Sequence, residues 1–196
     1  ERRRFLDTIL SQADITYLDA LITYRKVLRE RHFVLLRLQQ GLGQDDELDF
    51  WDKELGRVGE ALVSFREMFV SDVNDYLAEI YPQFVAQVGN EKLVLQYKPS
   101  VSAHEIGPRL HAMRRYDIKT TVTNVGPHRD EIIFLLDDRD VTVFASRGEL
   151  RSCVLATKIA EAVYLDKKKN LAPILLLDDV MSELDEYLEY RIQIHR

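Results

Sequence analysis

Leu48, Leu55, Leu62, Phe69 and Tyr76 stand seven residues apart, and Trp51, Val58 and Phe65 repeat that interval beside them until Asp72 interrupts the second series. Apolar residues spaced in this way return to one side of an α-helix, so the heptads predict a long helix with a narrow apolar seam. A similar series runs from Asp14 to Leu38, with Leu21, Leu28 and Leu35 on the seam, Tyr17, Tyr24 and Leu38 beside it, and Arg31 as its one charged member. Between the two series, Gly41 to Asp46 combines two glycines with two aspartates, enough to end one helix and to supply an N-cap for the next.

Two long helices joined by so short a turn run antiparallel. Seams this narrow predict a hairpin arm of about eight turns, zipped along its length, rather than two members of a compact bundle. Gly56 and Gly59 lie inside the second helix, where each costs about 1 kcal/mol relative to alanine, so a bend is expected there.

The character changes after Tyr81 and Pro82. Leu93, Leu95 and Tyr97 alternate with polar residues as in a strand closed by Pro99, and a short polar helix is expected over Pro108 to Tyr116. Thr120 to Val125, Glu131 to Leu136 and, after a turn at Asp137 to Asp140, Val141 to Phe144 read as strands of a β-meander. Beyond Gly148, the spacing of Leu150, Val154, Leu155, Ile159, Ala162 and Val163 is helical, and Ala172 to Leu177 is a short apolar strand. The expected division is a helical part, 1–88, and an α/β part, 89–196.

That last strand ends abruptly in Asp178 and Asp179, at the edge where α/β sheets bind ligands. Mg²⁺ prefers hard oxygen ligands and bridges nucleotide phosphates, while a neighbouring carboxylate can orient the attacking water. By spacing, Asp178 serves the metal and Asp179 the water. Ser182, Glu183, Leu184 and Asp185 continue into a helix with Ser182 as its N-cap. Upstream, Ser146-Arg147-Gly148-Glu149 opens the helix before the strand, where free N–H groups favour an anion; Ser146 and Glu149 also have the spacing of a capping box.

The string from Leu175 to Asp185, LLLDDVMSELD, is similar to the Walker B and D-loop of ABC-type ATPases, and Ser146 to Glu149 resembles their signature motif. Within that class, Glu1 to Asp7 (ERRRFLD), Thr120-Thr121-Val122 and Gly126-Pro127-His128-Arg129-Asp130 resemble the RecF family. The resemblance implies the carboxyl-terminal half of an α/β ABC-type ATPase head with an inserted antiparallel helical hairpin.

It implies a protein of DNA repair, replication and the SOS response that binds ATP and Mg²⁺ and forms an ATP-dependent homodimer. It also implies binding to DNA at single-strand gaps and junctions, and action with RecR and RecO to load RecA. Asp178 would then hold the metal, Asp179 would be catalytic, Ser146 and Gly148 would read a partner's γ-phosphate, and Asp185 would cross to the partner subunit. His128 and Arg129 stay open between a structural turn and contact with nucleotide or DNA.

No glycine in the sequence is followed by lysine, so no P-loop is present, and a switch histidine is missing after Asp179. The expectation is a chain truncated at both ends that, alone, neither binds ATP tightly nor hydrolyses it. A net charge of −6 excludes a wholly basic nucleic-acid binder and confines DNA contact to a local patch: Arg2 to Arg4, Arg114 with Arg115, or Lys167 to Lys169. Cys153 is the single cysteine, so no intrachain disulfide forms, and it reads as a packed thiol in a cytoplasmic protein. The rival readings are an SMC-like or OLD-type ATPase with another output, and a non-catalytic module in which the helical hairpin does the binding.

Overall fold

The computed structural model describes residues 2–85, 91–170 and 173–175. A first helix, α1 (Arg2–Ala13), is separated from α2 (Ile15–Gln39) by Asp14 alone. Asp14 is extended and its carboxylate accepts the Thr16 N–H at 2.7 Å, which caps the new helix. After α2, Gly41 and Gly43 take φ of 73° and 128°, conformations that side chains resist. Gln44, rather than either expected aspartate, opens the next turn, its N–H donating to Glu47 Oε1 at 3.1 Å. From there α3 (Leu48–Ile80) runs as one helix.

The pairing of α2 with α3 is antiparallel, because partners on α3 advance as those on α2 recede: Arg37 with Glu47, Arg31 with Asp52, Tyr17 with Arg66. The pair is not bare. Helices α1 and α4 (Ile106–Thr120) both pack on α2, and they bury Leu6, Ile9 and Leu10 from one and Ile106 and Leu110 from the other.

Consequently α3 buries more than a single seam. Leu48, Leu55, Leu62 and Phe69 are covered as the heptads require, and so is a neighbouring stripe of Asp52, Gly59, Arg66 and Val73. The two helix glycines serve this packing. A Cβ on Gly56 would stand 3.1 Å from Gly107 Cα, and one on Gly59 would stand 3.1 Å from Ile106 Cδ1, so glycine lets α4 approach α3.

The chain gathers into two compact units. The first holds residues up to Phe69 together with Tyr97–Ile132, and the second holds Val70–Gln96 and the described residues from Ile133 onward. The second contains most of a three-stranded sheet in the order β1 (Leu93–Lys98), β2 (Glu131–Leu136), β3 (Arg139–Asp140), with β2 and β3 antiparallel.

Two expected strands are absent. Thr120 ends α4, Thr121 adopts φ 55°, and the residues to Val125 form a turn. Val141–Phe144 is a single helical turn, α5, whose cap Asp140 accepts the Thr142 N–H at 2.8 Å. A long helix, α6 (Arg147–Lys169), follows, and Cys153, Leu155, Ala156, Ala160 and Tyr164 form its buried side. No helix among the described residues is long and apolar enough to cross a membrane.

Candidate functional site

In the first unit, two of the three segments that resemble family strings, Glu1–Asp7 and Gly126–Asp130, meet on a buried arginine. Arg66 of α3 is 2% exposed. Its Nη2 donates to Asp7 at 3.0 Å, and its Nη1 donates to Asp130 at 3.1 Å and to the Pro127 carbonyl at 2.8 Å. Asp130 also accepts the Tyr97 hydroxyl and the Ser100 N–H, the latter at 2.8 Å, while its carbonyl takes Arg3 Nη1 at 3.0 Å. Burial, reinforced by the Asp130 charge, raises the Tyr97 phenol pKa, so this group stays a donor. Every strong acceptor in the cluster is engaged from within the fold.

His128 is held in the same way. Its Nε2 lies 2.8 Å from the Thr123 carbonyl, which can only accept, so Nε2 carries the proton and Nδ1 receives the Tyr24 hydroxyl at 2.7 Å. Burial lowers its pKa and keeps the ring neutral. Next to it Gly126 has φ 121°, and a Cβ there would fall 2.4 Å from Tyr24 Oη. Of the two residues left open by sequence, His128 is thus hydrogen-bonded through both ring nitrogens, whereas Arg129 is exposed and commits its Nε to the Thr123 carbonyl at 3.1 Å.

A second buried charge cluster explains the arginine on the α2 seam. Arg31 is fully buried and donates to Asp52 at 2.7 Å, Asp117 at 2.9 Å and Thr123 at 2.8 Å. Arg114 completes it with bonds of 2.6 Å to both Asp52 and Asp49. Arg66 and Asp52 were missed in the sequence reading; both sit on the stripe adjacent to the heptads, two heptads apart, and that phase was the available signal.

The signature-like segment in the second unit is of another kind. Ser146 caps α6: its Oγ accepts the Glu149 N–H at 3.3 Å and its N–H donates to Glu149 Oε2 at 2.6 Å, so the capping box is formed. Hydrogen bonds from the Ser146 side chain and then its backbone N–H hold the Glu149 carboxyl below its usual pKa. Ser146, Arg147 and Gly148 are all exposed. Nothing lies within 4 Å of where a Gly148 Cβ would be. Apolar side chains flank the segment in the open: Val143 and Phe144 are 68% and 65% exposed, and Leu150 and Val154 of α6 are half-exposed.

Asp178, Asp179 and Asp185 lie outside the described residues, as do Ala172, Leu176 and Leu177 of the expected strand before them. Among the described residues no group of three potential ligands could hold a metal. Of the basic runs, Arg3 serves Asp130 and Arg114 is buried, while Lys167 stands 4.2 Å from the Tyr76 ring centre and Lys168 pairs with Asp72 at 3.4 Å. Cys153 is buried, and burial pushes its thiol to about 11, which leaves it unreactive.

No family model matches the chain. It is 38% identical over 185 residues to the DNA replication and repair protein RecF of Lachnoclostridium phytofermentans, covering 94% of this chain and 51% of that protein. It is 39% identical over 186 residues to the protein of the same name from Moorella thermoacetica, covering 94% of this chain and 50% of that one. The solved structure of the recombination mediator protein RecF-ATP in the RecFOR pathway superposes with a TM-score of 0.89 at 28% identity, over 99% of this chain and 54% of that one. The chain spans about half the length of the curated relatives it matches.

Proposed function

The chain belongs to the RecF family of DNA replication and repair proteins, and from that premise we propose that it supplies the signature-bearing half of an ATP-dependent DNA clamp. The observation that carries this reading is the exposed start of α6. Ser146 and Gly148 are exposed at the helix N-terminus, and Gly148 has open space around it, as a nucleotide approaching from outside the chain would need. Fully capped, the segment costs the fold nothing to present. The apolar side chains around it, Val143, Phe144, Leu150 and Val154, suit a protein surface rather than water and so support closure of a second copy over the same nucleotide.

In this reading ATP supplies the phosphate charge that joins two copies, and hydrolysis releases them. Ser146 and Gly148 bind the partner's γ-phosphate, Asp185 reaches across the dimer, Asp178 holds Mg²⁺, and Asp179 orients water. DNA is the substrate held by the dimer, at gaps and junctions, with RecR and RecO as the partners that family membership suggests.

Equilibrium binding of labelled ATP separates the parts of this proposal. The chain alone, having no P-loop, is expected to show no micromolar affinity, and micromolar affinity would contradict the division of the site. Joined to a segment that supplies a P-loop, the chain is expected to dimerise with ATP. Asp179→Asn should then trap that dimer, and unchanged turnover in this variant would refute the role given to Asp179.

A further inference from the structure

Helix α4 is charged on both sides, but with opposite arrangements. Its inner face holds Arg114 and Asp117, both buried and both paired. Its outer face presents Arg109, His111, Arg115, Tyr116 and Lys119 to solvent. The helix contains a single acidic residue, Asp117, and that one is fully buried. Among nearby acids, Asp49 is bound by Arg114, and Glu105, before the helix, is bonded to Ser102. The outer face is therefore cationic in a chain whose net charge is −6.

That face has a fixed platform. Gln39 of α2 donates to the Lys119 carbonyl at 3.1 Å, and His32 Nδ1 lies 2.8 Å from the Thr121 carbonyl, so both of these α2 residues hold the end of α4. The buried Arg31, Asp52 and Asp117 bonds anchor its underside. From Arg109 to Lys119 the axial distance is about 15 Å at 1.5 Å per residue, which spans about four phosphate intervals along one strand of duplex DNA.

We propose that the outer face of α4 is a phosphate-backbone contact surface for duplex DNA, with Arg109, Arg115 and Lys119 as the phosphate ligands. This rests on the DNA-clamp reading above and adds to it the surface that meets the DNA. The contacts are electrostatic and carry no base readout, since the face offers point charges on a convex helix. Tyr116, exposed among them, has a hydroxyl able to donate to a phosphate or sugar oxygen.

The test is fluorescence anisotropy of a labelled DNA duplex with the whole chain between about 50 and 200 mM salt, where each phosphate contact contributes about 0.9 to the slope of log affinity against log salt. The triple variant Arg109→Gln, Arg115→Gln, Lys119→Gln should weaken binding at least about tenfold and flatten the slope by about 3. The control pair Lys53→Gln and Arg57→Gln, on the exposed side of α3, should change neither. Exposed substitutions leave folding intact, and circular dichroism verifies it.

DNA binding that survives the triple variant unchanged overturns this surface but leaves the clamp reading standing. The absence of duplex binding by the wild-type chain overturns the surface proposal, while the clamp reading keeps its own nucleotide test. Equal competition by polyglutamate and by DNA for the same face would overturn the assignment to nucleic acid.

Discussion

Gly126 and Gly148 both stand in segments that resemble family strings, and the structure treats them in opposite ways. Gly126 has no room for a side chain: its φ is 121° and Tyr24 Oη occupies the place of its Cβ. Gly148 has a helical neighbourhood open to 4 Å and beyond. One glycine is required by the fold, and the other by nothing among the described residues. The same contrast separates Asp130, buried with its acceptors filled by Arg66, Tyr97 and Ser100, from Ser146, which is exposed and bonded to Glu149 in its own helix turn. Likeness to a family thus falls on buried scaffold in the first unit and on an exposed helix start in the second.

The largest effect expected from that contrast is at Arg66. Arg66→Met leaves Asp7 and Asp130 without their arginine and should cost about 3–5 kcal/mol in urea unfolding. Adding Asp130→Asn should restore part of the loss, because the charge left unpaired is then removed. A cost under about 1 kcal/mol for the single variant would mean that the cluster is solvated and not a hub.

Next come the glycines. Gly126→Ala should destabilise by about 1–3 kcal/mol, through a left-handed backbone and the collision with Tyr24. Gly148→Ala should raise stability by up to about 1 kcal/mol, as alanine does in a helix. Equal effects at the two positions would erase the distinction between them.

How much of this could be read in the sequence depends on which force decided each segment. Helices α2 and α3 and strands β1 and β2 were legible because burial follows their apolar period, whereas α6 forms as expected but buries a different side, with only Leu155 of the expected apolar positions covered. Thr120 to Val125 was misread as a strand because its β-branched residues carry strand propensity, while Asn124 binding Asp117 and Thr123 binding Arg31 impose a turn. Helix α4 looked short and polar because its buried side is half charged: Arg114 and Asp117 count as surface residues until their partners are known. Arg31 was visible as an oddity on its seam, but its partners at Asp52 and Asp117 lie 21 and 86 residues away. At Ser146 the capping box expected from the sequence is formed. The expected Walker B segment falls outside the described residues.

Ser146→Ala comes next in size. Loss of the cap should cost about 1 kcal/mol, far less than Arg66→Met, and a larger value would place Ser146 among the scaffold residues.

The smallest effect concerns pH. His128 is neutral in the fold with its pKa below the ordinary 6.5, so below that value the unfolded chain binds more protons than the folded one. Stability is therefore complete above the ordinary value and declines as pH falls through the lowered one. His128→Gln should remove this part of the decline, and an unchanged pH profile in that variant would locate the titration elsewhere.

The central claim is that Gly148 serves a nucleotide held by another copy and serves nothing within its own chain. Sedimentation of Gly148→Leu, in the chain joined to a P-loop-bearing segment, tests it directly when run beside a urea melt. The predicted result is loss of the ATP-dependent dimer with the unfolding midpoint unchanged or raised. A dimer that forms with ATP as readily as the wild type would contradict it.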